Sequence, residues 1–264
     1  MSGVSIADWP DGRRGAISLT FDDGSPTHLS KVVPILAEFG LLGTFYLNPR
    51  GDDWLDRLAP WREVAQAGHE VGNHTLRHPC SKALTNDPEA PCLEQMTLAE
   101  MEADILEATR RLREAIPQQE AFTFCYPCYQ EHVGEGLTRQ TYVPLIARHF
   151  IAGRGRGEYG YNHPATCDLA YLYSWPVEFH VGHMLVGMAE QAAALGCWSI
   201  FTVHGIDDGH LSLSEAAFRE LCRHLARARE TLWVAPVIEV ARWIAAWRGG
   251  DSLAASRDSL GRHP

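Results

Sequence analysis

Short apolar runs alternate with stretches of helical periodicity along almost the whole chain, and this alternation narrows the fold more than any other feature of the sequence. The runs are AISLTF, GTFYL, HEVGN, AFTFCY, HFIAG, CWSIFTV and TLWVA. Each has the length and the β-branched or aromatic content of a buried strand. Between them, KVVPILAEFG places apolar residues at Val32, Val33, Leu36 and Phe39, sets Pro34 in a first turn and stops on Gly40. TLAEMEADILEATRRLREAI opens on a capping box, Thr97 with Glu100, and Ser212 with Glu215 predicts another ahead of AAFRELCRHLARAR. Strands that alternate with helices form parallel βαβ units. About seven units predict an α/β fold, a distorted (β/α)7 barrel forming a single domain over residues 1–247. The small, polar, glycine-bearing segment 248–264 predicts a flexible tail.

Composition matters mainly for what it excludes. An apolar share of 45% over 264 residues provides a core for one domain of this size and argues against disorder. A formal charge of −10 argues against a nucleic-acid partner, because phosphate backbones are held by excess Lys and Arg. No run reaches the length of a membrane span, and MSGVSIADWPDGRRG lacks the charged-then-apolar pattern of a leader. The expectation is a cytoplasmic protein that binds no membrane, unless a leader has been removed. Seven cysteines cannot all pair internally. Cys80 and Cys92 flank a Pro-rich loop and are placed to bridge, although a cytosolic setting makes reduced thiols the default. Cys125 and Cys128 form a C-x-x-C without the helix that a thioredoxin-like site opens, or the second C-x-x-C of a zinc ribbon.

In barrels of this kind the chemistry gathers where strands meet their C-terminal loops. There the first run carries Asp22 and Asp23, the third His74 and His78, the fourth the segment YPCY, and the penultimate His204. Two histidines four residues apart share one side of a helical turn and can grip a divalent cation. One aspartate with two histidines is an open ligand set that leaves room for water and substrate. A second carboxylate nearby can take a proton from that water. His180 and His183 form another pair with no third ligand close in sequence, and read as pocket or surface residues.

TFDDG, then HTLRH some fifty residues later, then a proline-bearing strand end and a strand ending in His together resemble the polysaccharide deacetylase family, the NodB-homology or carbohydrate esterase family 4 type. The likeness covers nearly the whole chain. It implies a NodB-like distorted barrel that hydrolyses acetamido groups on sugars with a divalent metal, zinc first, with Co2+, Ni2+ or Mn2+ as substitutes. It makes Asp22 the general base, Asp23, His74 and His78 the metal ligands, and His204 the general acid. A backbone N–H of the YPCY segment, that of Cys128, would face the oxyanion, with Tyr126 beside it. The partner implied is an acetylated carbohydrate or a small acetylated substrate. The same site acting on an O-acetyl ester or a cyclic amide is the alternative, and a carbohydrate-binding barrel without turnover is a third reading.

Two departures from the family pattern stand out. The third motif of the family begins with an arginine, in an R-x-P-Y pattern, where this chain has Cys125. Arg154 in FIAGRGRGE is expected to supply that charge, ahead of Arg156. The fourth motif, an acid near a tryptophan that orients the acid histidine, is expected at Asp168 and Trp175. Trp54, Tyr129, Tyr161 and Trp175 are candidates to stack on sugar faces, against a core or rim role.

Overall fold

In the computed structural model, which describes residues 9–85, 91–158, 160–209 and 211–249, strands and helices alternate as the periodicities require. The order begins β1 (Gly15–Asp22), α1 (Val33–Phe39), β2 (Thr44–Leu47), α2 (Trp54–Gln66), β3 (Glu70–Asn73) and α3 (Leu98–Ala115). It continues through β4 (Phe124–Cys125), α4 (Val143–His149), β5 (Gly153–Arg156), β6 (Leu172–Tyr173), β7 (Trp175–Pro176) and α5 (Gly182–Leu195). It ends with β8 (Trp198–Val203), α6 (Glu215–Arg227), β9 (Leu232–Val234) and α7 (Val237–Gly249). β1 and β8 are buried at every position, as strands covered on both faces must be.

The strands pair in parallel in the order β6-β5-β4-β3-β2-β1-β8-β7, with β9 added along the first residues of β1. The two ends of this sheet are neighbours in the chain. Leu172 and Tyr173 pair with β5 on one side, while Trp175 and Pro176 pair with β8 on the other. The segment 172–176, pinched at buried Ser174, therefore closes the sheet through its own backbone. Counted once, that segment completes a distorted barrel of seven positions, with β9 outside the ring. Among the described residues no helix is long and apolar enough to cross a membrane.

Local signals explain most of these elements. Thr97 and Glu100 form the expected capping box at α3, and Gly40 ends α1 with φ 61°. The cap of α6 is Ser214, whose side chain accepts from Ala217 N, rather than Ser212, which sits in a two-residue bridge with Gly205. HFIAG does not form the fifth strand. Its first residue ends α4 and the strand begins at Gly153, in GRGR. A Cβ on Gly153 or Gly155 would collide with the ring of Tyr126, so both glycines let the strand lie against that layer. Alternation then sends Arg154 the other way, into the barrel. The segment expected to be a flexible tail lies mostly in residues 250–264, outside the described residues.

Candidate metal centre and active site

β1 ends at Asp22, and Asp23 and Gly24 follow with φ 70° and 63°. These left-handed residues turn the chain sharply, so the two carboxylates diverge: Asp22 is buried and Asp23 is exposed. Asp23 Oδ1 lies 3.5 Å from His74 Nε2 and 3.6 Å from His78 Nε2. The His74 Nδ1–H donates to the Cys125 carbonyl at 2.9 Å, which leaves the Nε2 lone pair for a cation. Two nitrogen or oxygen ligands on one tetrahedral zinc stand about 3.4 Å apart. The spacing and the chemistry of Asp23, His74 and His78 therefore fit a divalent metal.

HTLRH is not helical, contrary to the expectation from its spacing. His74 and His78 meet because Thr75 and His78 adopt φ 65° and 54°, in a turn pinned at both ends. Thr75 N donates to Asn73 Oδ1 at 2.7 Å and His78 N to Thr75 Oγ1 at 3.0 Å. Asp104 on α3 holds the middle, accepting from Leu76 N at 2.7 Å and Arg77 Nε at 2.5 Å. Asp104 was invisible as a functional residue in the sequence, yet it falls on the buried stripe of α3 with Met101, Ile105 and Ala108. An acid on an apolar helix face was the available signal.

Asp22 and Arg154 form a buried ion pair. Arg154 Nη2 donates to Asp22 Oδ2 and touches Cys125 Sγ, while Nη1 reaches Thr202 Oγ1 and, at 3.3 Å, Ser174 Oγ. The guanidinium lies 5.3 Å from the ring centre of Tyr46 and 5.6 Å from that of Tyr129. Burial alone would raise the Asp22 carboxyl; Arg154, with His74 and His204, holds it at about 2. Asp22 Oδ1 is buried with no hydrogen-bond partner among the described residues, so one lone-pair face of the carboxylate is uncommitted. Cys125 and Arg154 are register partners on β4 and β5. A short, neutral thiol thus occupies the position where the family pattern has arginine, and the charge comes from the adjacent strand. Burial pushes the Cys125 thiol far up, and it does not ionise. The Arg156 side chain lies outside the described residues.

His204 follows β8, with Nδ1 3.3 Å from Glu178 Oε1, within ion-pair distance though off the line of a well-aligned hydrogen bond. Burial pulls the imidazole down, but Glu178, Asp22 and Asp23 outweigh it, and His204 stands above its ordinary value. His28 Nε2–H donates to the His204 carbonyl at 2.6 Å and fixes the backbone there.

Asp168 and Trp175 do not orient His204. Asp168 precedes β6, at the wrong end of the strand, and its carboxylate accepts from Ala170 N. Trp175 packs in the core against Tyr161 and Phe201 and donates to the Gly160 carbonyl. The carboxylate at His204 is Glu178. The register Thr202 to Pro176 brings Glu178 level with His204, a relation that only the strand pairing reveals.

The fourth strand end also differs from expectation. The Tyr126 side chain is core: its ring meets Phe124, Tyr142 and Tyr171, and its hydroxyl donates to the Ala170 carbonyl. Cys128 sits in a tight turn with φ 51°, next to Tyr129 at φ 58°. Cys80 pairs with Cys128, not with Cys92. Cys92 keeps a free, buried thiol that donates to Glu94 at 2.7 Å. Of the four aromatic candidates, Tyr129 stands beside Arg154 at the site. Trp54 lies against the guanidinium groups of Arg110 and Arg111 on α3. His180 Nδ1 meets the Glu178 carbonyl and His183 is exposed on α5.

Residues 10–134 match the family model described as Polysaccharide deacetylase. A chitooligosaccharide deacetylase of Sinorhizobium fredii is 34% identical over 104 residues, 39% of this chain and 42% of the relative. The match thus spans about two fifths of that curated relative's length. Among solved structures, a candidate polysaccharide deacetylase from Mycobacterium smegmatis superposes with a TM-score of 0.63 at 18% identity, over 92% of this chain and 94% of that one. A CE4 family pseudoenzyme from Bacillus anthracis shares the fold at a TM-score of 0.50 and 14% identity, over 87% of this chain and 66% of that one.

Proposed function

The chain belongs to the polysaccharide deacetylase family, and from that premise we propose that it is a metal-dependent hydrolase removing acetyl groups from N-acetylated sugars. One juxtaposition carries the reading. Asp23, His74 and His78 bring three donor atoms within ligand spacing of one another, beside a buried, ionised Asp22 and a His204 whose charged form is favoured. When bound, a divalent cation, zinc by preference for this nitrogen and carboxylate set, supplies Lewis acidity toward the acyl oxygen and toward water.

The protein's own groups do the rest. Asp22 is the general base and receives the proton of the attacking water at Oδ1. Arg154 keeps Asp22 ionised and occupies Oδ2, so the acceptor face has a fixed direction. His204 is the general acid and hands a proton to the departing amine nitrogen. Glu178 and His28 position it, one at the ring and one at the backbone. The Cys128 N–H donates to the oxygen that gains charge as the acyl carbon becomes tetrahedral.

The name of the Sinorhizobium fredii relative makes a chitooligosaccharide the first substrate to test. Acetate release is measured from a chitooligosaccharide and from acetylated xylan, with and without a chelator. The expected result is release from the chitooligosaccharide, lost on chelation and restored by zinc. Release from xylan alone would move the reading to O-acetyl esters. Release from neither substrate by the zinc-loaded protein would place this chain with the pseudoenzyme of its fold. Turnover unaffected by complete metal removal would overturn the mechanism.

A further inference from the structure

A second group of donor atoms adjoins the Asp23, His74 and His78 cluster and shares one member with it. Cys80 and Cys128 are joined in a disulfide that spans 48 residues of sequence, with Cα atoms 5.9 Å apart. His78 turns Nε2 toward Asp23 and Nδ1 toward Cys80 Sγ, 3.7 Å away. A ring nitrogen of His78 and the two sulfurs all lie within 4.8 Å of one another. Cys80 is buried but Cys128 is only half-buried, so a small reductant can reach the bond.

We infer that reducing Cys80–Cys128 creates a sulfur-rich metal site, formed by both thiolates and His78 Nδ1, that competes with Asp23 and His74 for His78. Three observations carry this. Two thiolates on one tetrahedral zinc stand about 3.8 Å apart, and a Cα separation of 5.9 Å accommodates that with side-chain rotation alone. Thiolate is a softer ligand than carboxylate and holds zinc or cobalt strongly. A neutral imidazole has one lone pair, so His78 serves a cation through Nε2 or through Nδ1 and not through both. The oxidised chain therefore offers the Asp23, His74 and His78 set intact, and the reduced chain offers a rival.

The chemistry balances with an external reductant, a dithiol or a phosphine. The S–S bond takes two electrons and two protons and becomes two thiols. A dithiol becomes its own disulfide; a phosphine takes oxygen from water and becomes the phosphine oxide, the water yielding both protons. Metal binding then releases the thiol protons to the buffer. The consequence for turnover rests on the proposed deacetylase reading, whereas the existence of the second site does not.

Cobalt(II) absorption separates the two. The intact chain is fully oxidised, and a portion is reduced with a phosphine that is then removed without oxygen; both are titrated with Co2+. Thiol titration in denaturant is expected to give five free groups in the oxidised form and seven after reduction. A near-ultraviolet sulfur-to-cobalt charge-transfer band is expected in the reduced protein and not in the oxidised one. Cys80→Ser and Cys128→Ser should each lose the band, so failure of one variant to fold leaves the other as the test. Cys125→Ser and Asp23→Asn should keep it. Failure of the deacetylase reading shows elsewhere, as an oxidised protein that binds no Co2+ or whose visible cobalt spectrum ignores Asp23→Asn. The inference is overturned by a reduced protein without the band, by an equal band in the oxidised form, by a band that follows Cys125, or by seven thiols after oxidation.

Discussion

At the C-terminal end of β1, Asp22 and Arg154 bury opposite charges against each other. Each has lost its water, and each is tolerable because of the other. Arg154→Met should lower the free energy of unfolding by about 3–5 kcal/mol at neutral pH, since it leaves a carboxylate buried without its partner. Adding Asp22→Asn in that background should recover part of the loss, and denaturant titration of the two single variants and the double variant gives the coupling. On its own, Asp22→Asn should keep the metal and cost turnover ~100-fold or more, the scale of a lost general base, whereas His74→Ala should lose both. Equal metal loss in the two would exchange the roles of the aspartates. His204 carries its own signature. Groups that raise its pKa keep the acid form available, and activity is lost as pH rises through that raised value. Glu178→Gln removes one such group, so the basic limb of kcat should move to lower pH; a limb that stays in place would remove Glu178 from the mechanism.

The elements that present these residues differ in how far the sequence disclosed them. β1, β2 and β8 were legible because their runs are rich in apolar, β-branched and aromatic residues, and a reactive residue just beyond such a run is a visible pattern; β3 shows less of it, with Val71 its one large apolar residue. GRGR was not, because a strand whose outward positions are glycine has no apolar side chains to betray it, and the residues between the glycines are arginines. The HTLRH turn was half legible. Its two histidines were found, but by helical spacing that the chain does not adopt, and its left-handed residues are stabilised by Asn73 and Asp104 rather than by any local propensity. Glu178 depends on strand register, which a single sequence states only weakly. Asp104 therefore makes a test at the level of the element. Asp104→Ala should loosen the turn and weaken metal binding by roughly 10–100-fold, as outer-shell substitutions do. A competing chelating dye measures this, while far-UV circular dichroism stays unchanged. Undiminished affinity would mean that the disulfide at Cys80 holds the turn without α3.

Across the whole molecule, the metal ligands join strand ends whose strands do not pair with one another. Asp23 follows β1, and His74 and His78 follow β3, with β2 between those strands in the sheet. The barrel itself is closed by only the five residues 172–176, whose pairings are two residues long on each side. A cation held at Asp23, His74 and His78 is thus a cross-link between distant stretches of chain, and an unfolded chain presents no such preformed set. Binding to the native state alone stabilises it by mass action, by about 2.7 kcal/mol at a free concentration of 100 times Kd. For a domain of this size that corresponds to a rise of roughly 5–10 °C in Tm. Thermal unfolding of the oxidised protein with zinc against chelator should show this rise, and His74→Ala should abolish it. A rise of the same size in His74→Ala would put the stabilising zinc elsewhere. A rise in His74→Ala that is absent from the oxidised form and appears only after reduction would put it at Cys80 and Cys128, and the two measurements together assign each cation to its ligands.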